Sequence, residues 1–320
     1  MSYARAKQID STLIPVIDIG PLRDGSDPGR VAHQLHEASR NVGFIYVANH
    51  GIPAEMLSSA RKTALAFFRR EPALKQEAAI TEKHRGWLAS GGAKMHDDAR
   101  PDLKESFIWG YQDVDGLTPD DHPLRGANRW PQSMPDLEPA ALGWFSAAHD
   151  VAGYLMRGFA LGLGKPADFF LQPSSAPMSR ASFVYYPPQP PELGADQFGV
   201  GPHTDFGVLT VLAQDHVGGL QVQDANDDWI AAPPIDGTLV VNVGDLLARW
   251  TNDEYKSTPH RVVNASGKER LSCVLAYDPE PGTVIDPRAV FGDGIETGHD
   301  PITCGHYLEW RFAKAFSYRK

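Results

Sequence analysis

Apolar and polar positions along this chain follow two regimes. In the first half the dominant period is helical. Val31, Leu35, Ala38 and Val42 recur three or four residues apart, which predicts an amphipathic helix with one buried stripe. Gly43 stands where such a helix ends. A second helix is predicted over residues 54–68. A third is predicted over 139–163, where Leu142, Phe145, Ala148, Leu155 and Phe159 fall on or near one face. Short apolar runs at 13–18 and 44–47 predict strands between these helices. From Met178 the pattern shortens. Strands are predicted at 182–186, 209–214, 220–224, 239–243 and 271–276, with turns between them, as in a sandwich or barrel. A last helix is predicted over 304–316. Residues 81–135, with Gly91, Gly92, Trp87, Trp109 and Trp130, show no clear period, and loops of that length often close over a site. The chain carries no internal repeat and no low-complexity tract.

Composition narrows the picture. A chain of 320 residues with 42% hydrophobic and 22% charged residues is an ordinary globular protein with enough length for a sizeable core. Length alone suggests two domains, but the pattern predicts a mostly helical N-terminal part wrapped on a C-terminal β-barrel, not two independently folding units. Thirty Gly and 26 Pro fit many turns between short strands. A net charge of −10 argues against a nucleic-acid partner and against anionic membranes. There is no apolar stretch of about 18 residues to span a membrane, and the N-terminus leads into no signal-peptide core. Cys273 and Cys304 are too few for a disulfide framework and fit a reducing compartment, so the expected location is cytoplasmic.

Three segments carry candidate chemistry. His203 and Asp205 are two apart, and in an extended strand such residues share a side. They can offer one imidazole nitrogen and one carboxylate oxygen to a single cation. Alone, the pair is better read as a strand-end His with a satisfied partner. His260 lies far downstream, ahead of Val262 and Val263, and a barrel brings such distant strands together. Two His and one carboxylate make the facial triad of non-heme Fe(II) oxygenases, which leaves three metal positions open. Arg270 and Ser272 again share a face. A guanidinium pointing into a barrel is costly without an anion, and its planar fork suits a carboxylate. A solvated Arg and Ser on a surface strand is the plainer alternative. The conjunction of all three segments in this order is much rarer than any one of them. The Lys104–Glu105 pair reads as a solvated face, Asn242 as structural with a supporting contact to the metal ligands as the alternative, Cys273 as core or surface, and His50 and His216 as turn residues outside any metal set.

With these residues in place, the chain resembles the isopenicillin N synthase-like Fe(II)- and 2-oxoglutarate-dependent dioxygenases over nearly its whole length. Residues 14–18 (IPVID), 42–53 (VGFIYVANHGIP), 102–107 (DLKESF), 217–222 (VGGLQV) and 241–246 (VNVGDL) match, as do the His260 segment and Arg270-Leu271-Ser272. The resemblance implies a mixed α+β fold, a double-stranded β-helix (jelly-roll) barrel with an N-terminal helical part and a C-terminal helix. It implies an N-terminal region at 1–177 packed on the barrel, a catalytic core at 178–290 and a C-terminal helix at 291–320.

It further implies Fe(II) held by His203, Asp205 and His260, 2-oxoglutarate as co-substrate with its distal carboxylate on Arg270 and Ser272, and O2. A small organic molecule would be oxidised with release of succinate and CO2. Tyr186, ahead of Pro187 and Pro188, matches the Tyr of a family NxYPP segment and is a further contact to that carboxylate, but Val184 stands where the family has Asn. The inward face running from Arg270 through Ser272 reaches Val274 and Ala276, where relatives often carry Pro and Phe. That leaves a pocket beside the iron that is either open to substrate or filled by Phe107 or Trp109. Three alternatives remain: an oxidase of the isopenicillin N synthase type that uses no 2-oxoglutarate, an enzyme that fragments 2-oxoglutarate to ethylene, and a metal-free β-barrel binding protein.

Overall fold

A computed structural model describes residues 4, 6–7, 13–92, 100–113, 115–171, 176–189 and 197–316. In chain order the strands are β1 (Val16–Asp18), β2 (Phe44–Ala48), β3 (Gly86–Leu88), β4 (Glu105–Gly110), β5 (Arg180–Tyr186), β6 (Val200–His203), β7 (Leu209–Gln214), β8 (Leu220–Gln223), β9 (Trp229–Ala231), β10 (Leu239–Val243), β11 (His260–Val262) and β12 (Arg270–Tyr277). A small pair, β13 (Val284–Ile285) and β14 (Ile302–Thr303), follows. The larger sheet runs β1-β2-β10-β7-β12-β5-β4-β3, and the smaller runs β6-β11-β8-β9. Between these named strands the pairings are antiparallel except β1 with β2.

The period-two pattern of the strands divides the interior into two cores. On β12, Leu271, Cys273, Leu275 and Tyr277 join a cluster with the helices outside the large sheet. On β5, Ala181, Phe183 and Tyr185 do the same, and on β10 so do Leu239, Val241 and Val243. The alternate residues Val184, Tyr186 and Val240 meet Leu220, Val222 and Val262 of the small sheet. This second core is the barrel interior, and Arg270, Ser272 and Val274 share its side of β12.

Helices Pro28–Asn41, Ala54–Phe68 and Leu137–Gly162 cover the outer face of the large sheet. The first begins on the Asp27 carboxylate, which accepts from the Arg30 amide, and ends at the turn of Gly43. Gly43 has φ +70°, and a Cβ there would lie 2.0 Å from the Lys256 carbonyl oxygen, so only glycine fits.

The predicted helices and strands are present, with ends shifted by a few residues. The N-terminal half differs from expectation in one respect. It supplies β1 to β4 to the large sheet as well as the helices around it. Strands β3 and β4 lie inside the 81–135 stretch that shows no period. The C-terminal helix spans Cys304–Ala315.

Candidate metal centre

His203 ends β6 and His260 begins β11, and the two are direct partners across that antiparallel pair. Asp205 sits in the turn that follows β6. The Nε2 atoms of His203 and His260 lie 3.7 and 3.8 Å from Asp205 Oδ1. Among the described residues, these three bring their ligand atoms within 4.8 Å of one another. Each Nδ1 faces a carbonyl, His203 that of Gly201 at 2.8 Å and His260 that of Thr258 at 3.2 Å. A carbonyl only accepts, so each Nδ1 carries the proton and each Nε2 presents a lone pair to the common centre. The second Asp205 oxygen, Oδ2, accepts from Thr210 Oγ1 at 2.5 Å and Asn242 Nδ2 at 2.8 Å, which leaves Oδ1 for the cation. Burial and the neighbouring His260 push the His203 imidazole down to about 3, so it stays neutral. Burial works to raise the Asp205 carboxyl. The group is nevertheless held below the usual carboxylate range, with the hydrogen bonds donated by Thr210 and Asn242 favouring its ionised form. One carboxylate oxygen and two imidazole nitrogens suit a non-heme divalent iron.

Further along the same interior, Arg270 is 1% exposed. Its Nε donates to the Gly218 carbonyl, and its guanidinium carbon lies 4.6 Å from the centre of the Tyr186 ring. Both Nη1 and Nη2 of Arg270, and Ser272 Oγ, are buried without a hydrogen-bond partner among the described residues. Buried polar atoms ordinarily find partners, and three such orphans around one cation fit a planar anion with two oxygens. The carboxylate of a keto acid meets that description. Val184 stands opposite Ser272 on β5 and adds no polar contact of its own.

A cavity of about 190 Å³ opens on His203 and Asp205. Val274 and Ala276 line it. Phe107 and Trp109, the other two residues expected at the pocket, do not. Both are fully buried on the opposite side of β4, where Phe107 packs on Phe67 and Trp109 on Phe183. The pleat turns their neighbours Ser106 and Ile108 to the cavity instead. Phe312 and Phe316, at the end of the C-terminal helix, stand in the same wall.

Two further readings change. Lys104 and Glu105 are not a solvated face: Glu105 pairs with buried Lys75 at 2.6 Å and accepts from Trp87 Nε1, while Lys104 lines the cavity. For Asn242 the alternative of a supporting contact is the one the structure shows, since its Nδ2 donates to Asp205 Oδ2. A polar residue inside an otherwise apolar strand was the sequence signal for it, as it was for Thr210 in β7. His50 accepts the Ile52 amide, and His216 pairs with Asp236, both away from the triad.

Comparison with known proteins agrees with this geometry. Residues 178–279 match the family model of the 2OG-Fe(II) oxygenase superfamily. Residues 14–133 match that of the non-haem dioxygenase in morphine synthesis N-terminal region. The chain is 34% identical to the 2-oxoglutarate-Fe(II) type oxidoreductase ppzC of Metarhizium majus, over 95% of this chain and 87% of that one. It is 35% identical to the homoarginine-6-hydroxylase 2-ODD-C23 of Glycine max, over 87% and 89%. A full-length Neurospora crassa protein whose structure was solved in complex with alpha-KG and thymine superposes with a TM-score of 0.84 at 30% identity, covering 95% of this chain and 98% of that one.

Proposed function

The chain belongs to the 2OG-Fe(II) oxygenase superfamily, and on that premise we propose that His203, Asp205 and His260 are the ligands of its iron and that Arg270, Ser272 and Tyr186 hold the distal carboxylate of 2-oxoglutarate. The protein is an Fe(II)- and 2-oxoglutarate-dependent dioxygenase that oxidises a small organic molecule. The observation that carries the residue assignment is the convergence of three ligand atoms within 4.8 Å, on the same barrel interior as a buried guanidinium with two unpaired nitrogens.

When bound, Fe(II) with 2-oxoglutarate and O2 supplies the oxidation, converting the keto acid to succinate and CO2. The protein's own part is placement. Thr210 and Asn242 orient Asp205, and the Gly201 and Thr258 carbonyls fix both imidazole tautomers. The Arg270 fork sets the direction from which the keto acid enters. Val274, Ala276 and Phe312 of the last helix bound the space for substrate.

The oxidase and ethylene-forming alternatives find no support among relatives described as 2-oxoglutarate-Fe(II) oxidoreductases, and an intact triad speaks against a metal-free binding protein. Functionally, residues 178–290 carry the proposed iron and keto-acid residues, the N-terminal region packs on them and contributes β1 to β4 with part of the cavity wall, and the C-terminal helix Cys304–Ala315 completes that wall. Among the described residues no helix is long and apolar enough to cross a membrane. Both cysteines are free and buried, which supports a reducing, cytoplasmic setting. A succinate-release screen over small metabolites, run with Fe(II) and O2, tests the reading. It predicts a substrate that raises succinate well above the uncoupled rate, and substrate oxidation without 2-oxoglutarate consumption would refute it.

A further inference from the structure

Lys104 stands one residue ahead of β4 and lines the cavity with His203 and Asp205. Its side chain is 15% exposed, and its ionic partner among the described residues is Asp102, with Nζ 3.5 Å from Oδ2. That separation is long for a charge-assisted hydrogen bond, normally about 2.7–2.9 Å. Asp102 is also engaged elsewhere, since its Oδ1 accepts the Gly201 amide at 3.0 Å. An ammonium has three donors, so one loosely held carboxylate leaves Lys104 with donors for an incoming group.

The second cation of the cavity, Arg180, is in a different position. Its Nη2 lies 3.1 Å from Oδ2 of the fully buried Asp278, and its guanidinium carbon is 4.7 Å from the centre of the Phe312 ring. Its charge is matched within the wall. Leu88, Ile108, Val274 and Phe312 make much of the remaining surface apolar. At about 190 Å³ the cavity is smaller than the roughly 300–1,000 Å³ of drug-sized ligand sites.

We propose that the oxygenase takes a small organic carboxylate, with its apolar body against these walls and its carboxylate paired with Lys104, which thereby determines specificity. The inference rests on the reading of the site given under Proposed function. A lysine whose side chain is only 15% exposed discriminates by charge, because a neutral analogue leaves the ammonium without the partner for which it was desolvated.

Isothermal titration calorimetry of the intact chain, loaded anaerobically with Fe(II) and 2-oxoglutarate, tests this. The probes are phenylacetate and 4-methylpentanoate, each compared with its neutral primary amide. The acids are expected to bind about tenfold or more tightly than the amides. Lys104→Arg should keep that preference, and Lys104→Met should remove it. Lys104→Gln makes the same comparison if the Met variant does not fold. Acids that bind no better than amides, acids that do not bind, or a preference that survives removal of the ammonium each overturn the proposal. Failure of the underlying site reading looks different: the chain then takes up neither Fe(II) nor 2-oxoglutarate in the loading step, before any probe is added.

Discussion

Asp205 offers one particular oxygen to a cation because the other is held by Thr210 and Asn242. Partners of this kind typically contribute 10–100-fold to metal affinity. Thr210→Val combined with Asn242→Leu is therefore expected to weaken iron binding by about that range without removing a ligand, as read by competition with a chelator. Unchanged affinity would mean that Asp205 is positioned by its turn alone. Arg270→Leu should separate the two cofactors. The apparent KM for 2-oxoglutarate should rise at least about tenfold, while iron affinity changes little. An unchanged KM would remove Arg270 from the keto-acid site. At this scale the sequence was informative where two polar residues sat two apart. For Arg270 and Ser272 on β12 strand geometry forces the shared side, whereas Asp205 lies past the end of β6 and reaches His203 from the turn, so there the spacing pointed to the right pair for a different reason. The sequence misled where an aromatic residue drew attention. Phe107 and Trp109 lie in the other core, and the parity of β4 could not be known without its neighbours in the sheet.

Among the elements, the long helices were legible from their apolar stripes and the barrel strands from their short apolar runs. β3 and β4 were not. β3 has three residues, both strands lie among Gly and Pro turns, and their pattern is completed only by pairing with one another and with β5. The same stretch supplies Leu88, Lys104, Ser106 and Ile108 to the cavity, so the least legible part of the chain forms one wall of it. β12 was readable as an element, and its inward face ends at Val274 and Ala276, both half-buried. Ala276→Phe places a ring in a cavity of about 190 Å³. Substrate KM is expected to rise several-fold while iron affinity stays near that of the unmodified chain. If KM does not move in a folded variant, substrate does not reach the end of β12.

For the molecule as a whole, the large sheet separates two tasks. Its outer face packs on three long helices and carries most of the apolar core. Its inner face, closed by the small sheet, leaves a narrow interior where a few polar groups converge among apolar walls. This division fits the tolerance of a buried Arg270 and an ionised Asp205: neighbouring side chains supply partners for Asp205, and the proposed keto-acid carboxylate would supply one for Arg270. It also explains why a metal centre can be assembled from β6 and β11, since these belong to one sheet and pair directly at His203 and His260. The central claim is that this pairing, with Asp205, makes the iron site that works with 2-oxoglutarate. Anaerobic optical titration with Fe(II) in excess 2-oxoglutarate tests it most directly. The account predicts a weak visible charge-transfer band that saturates at one iron per chain and is lost in His260→Ala. A chain that gives no band under these conditions, or a His260→Ala variant that gives the same band at the same iron concentration, would contradict it.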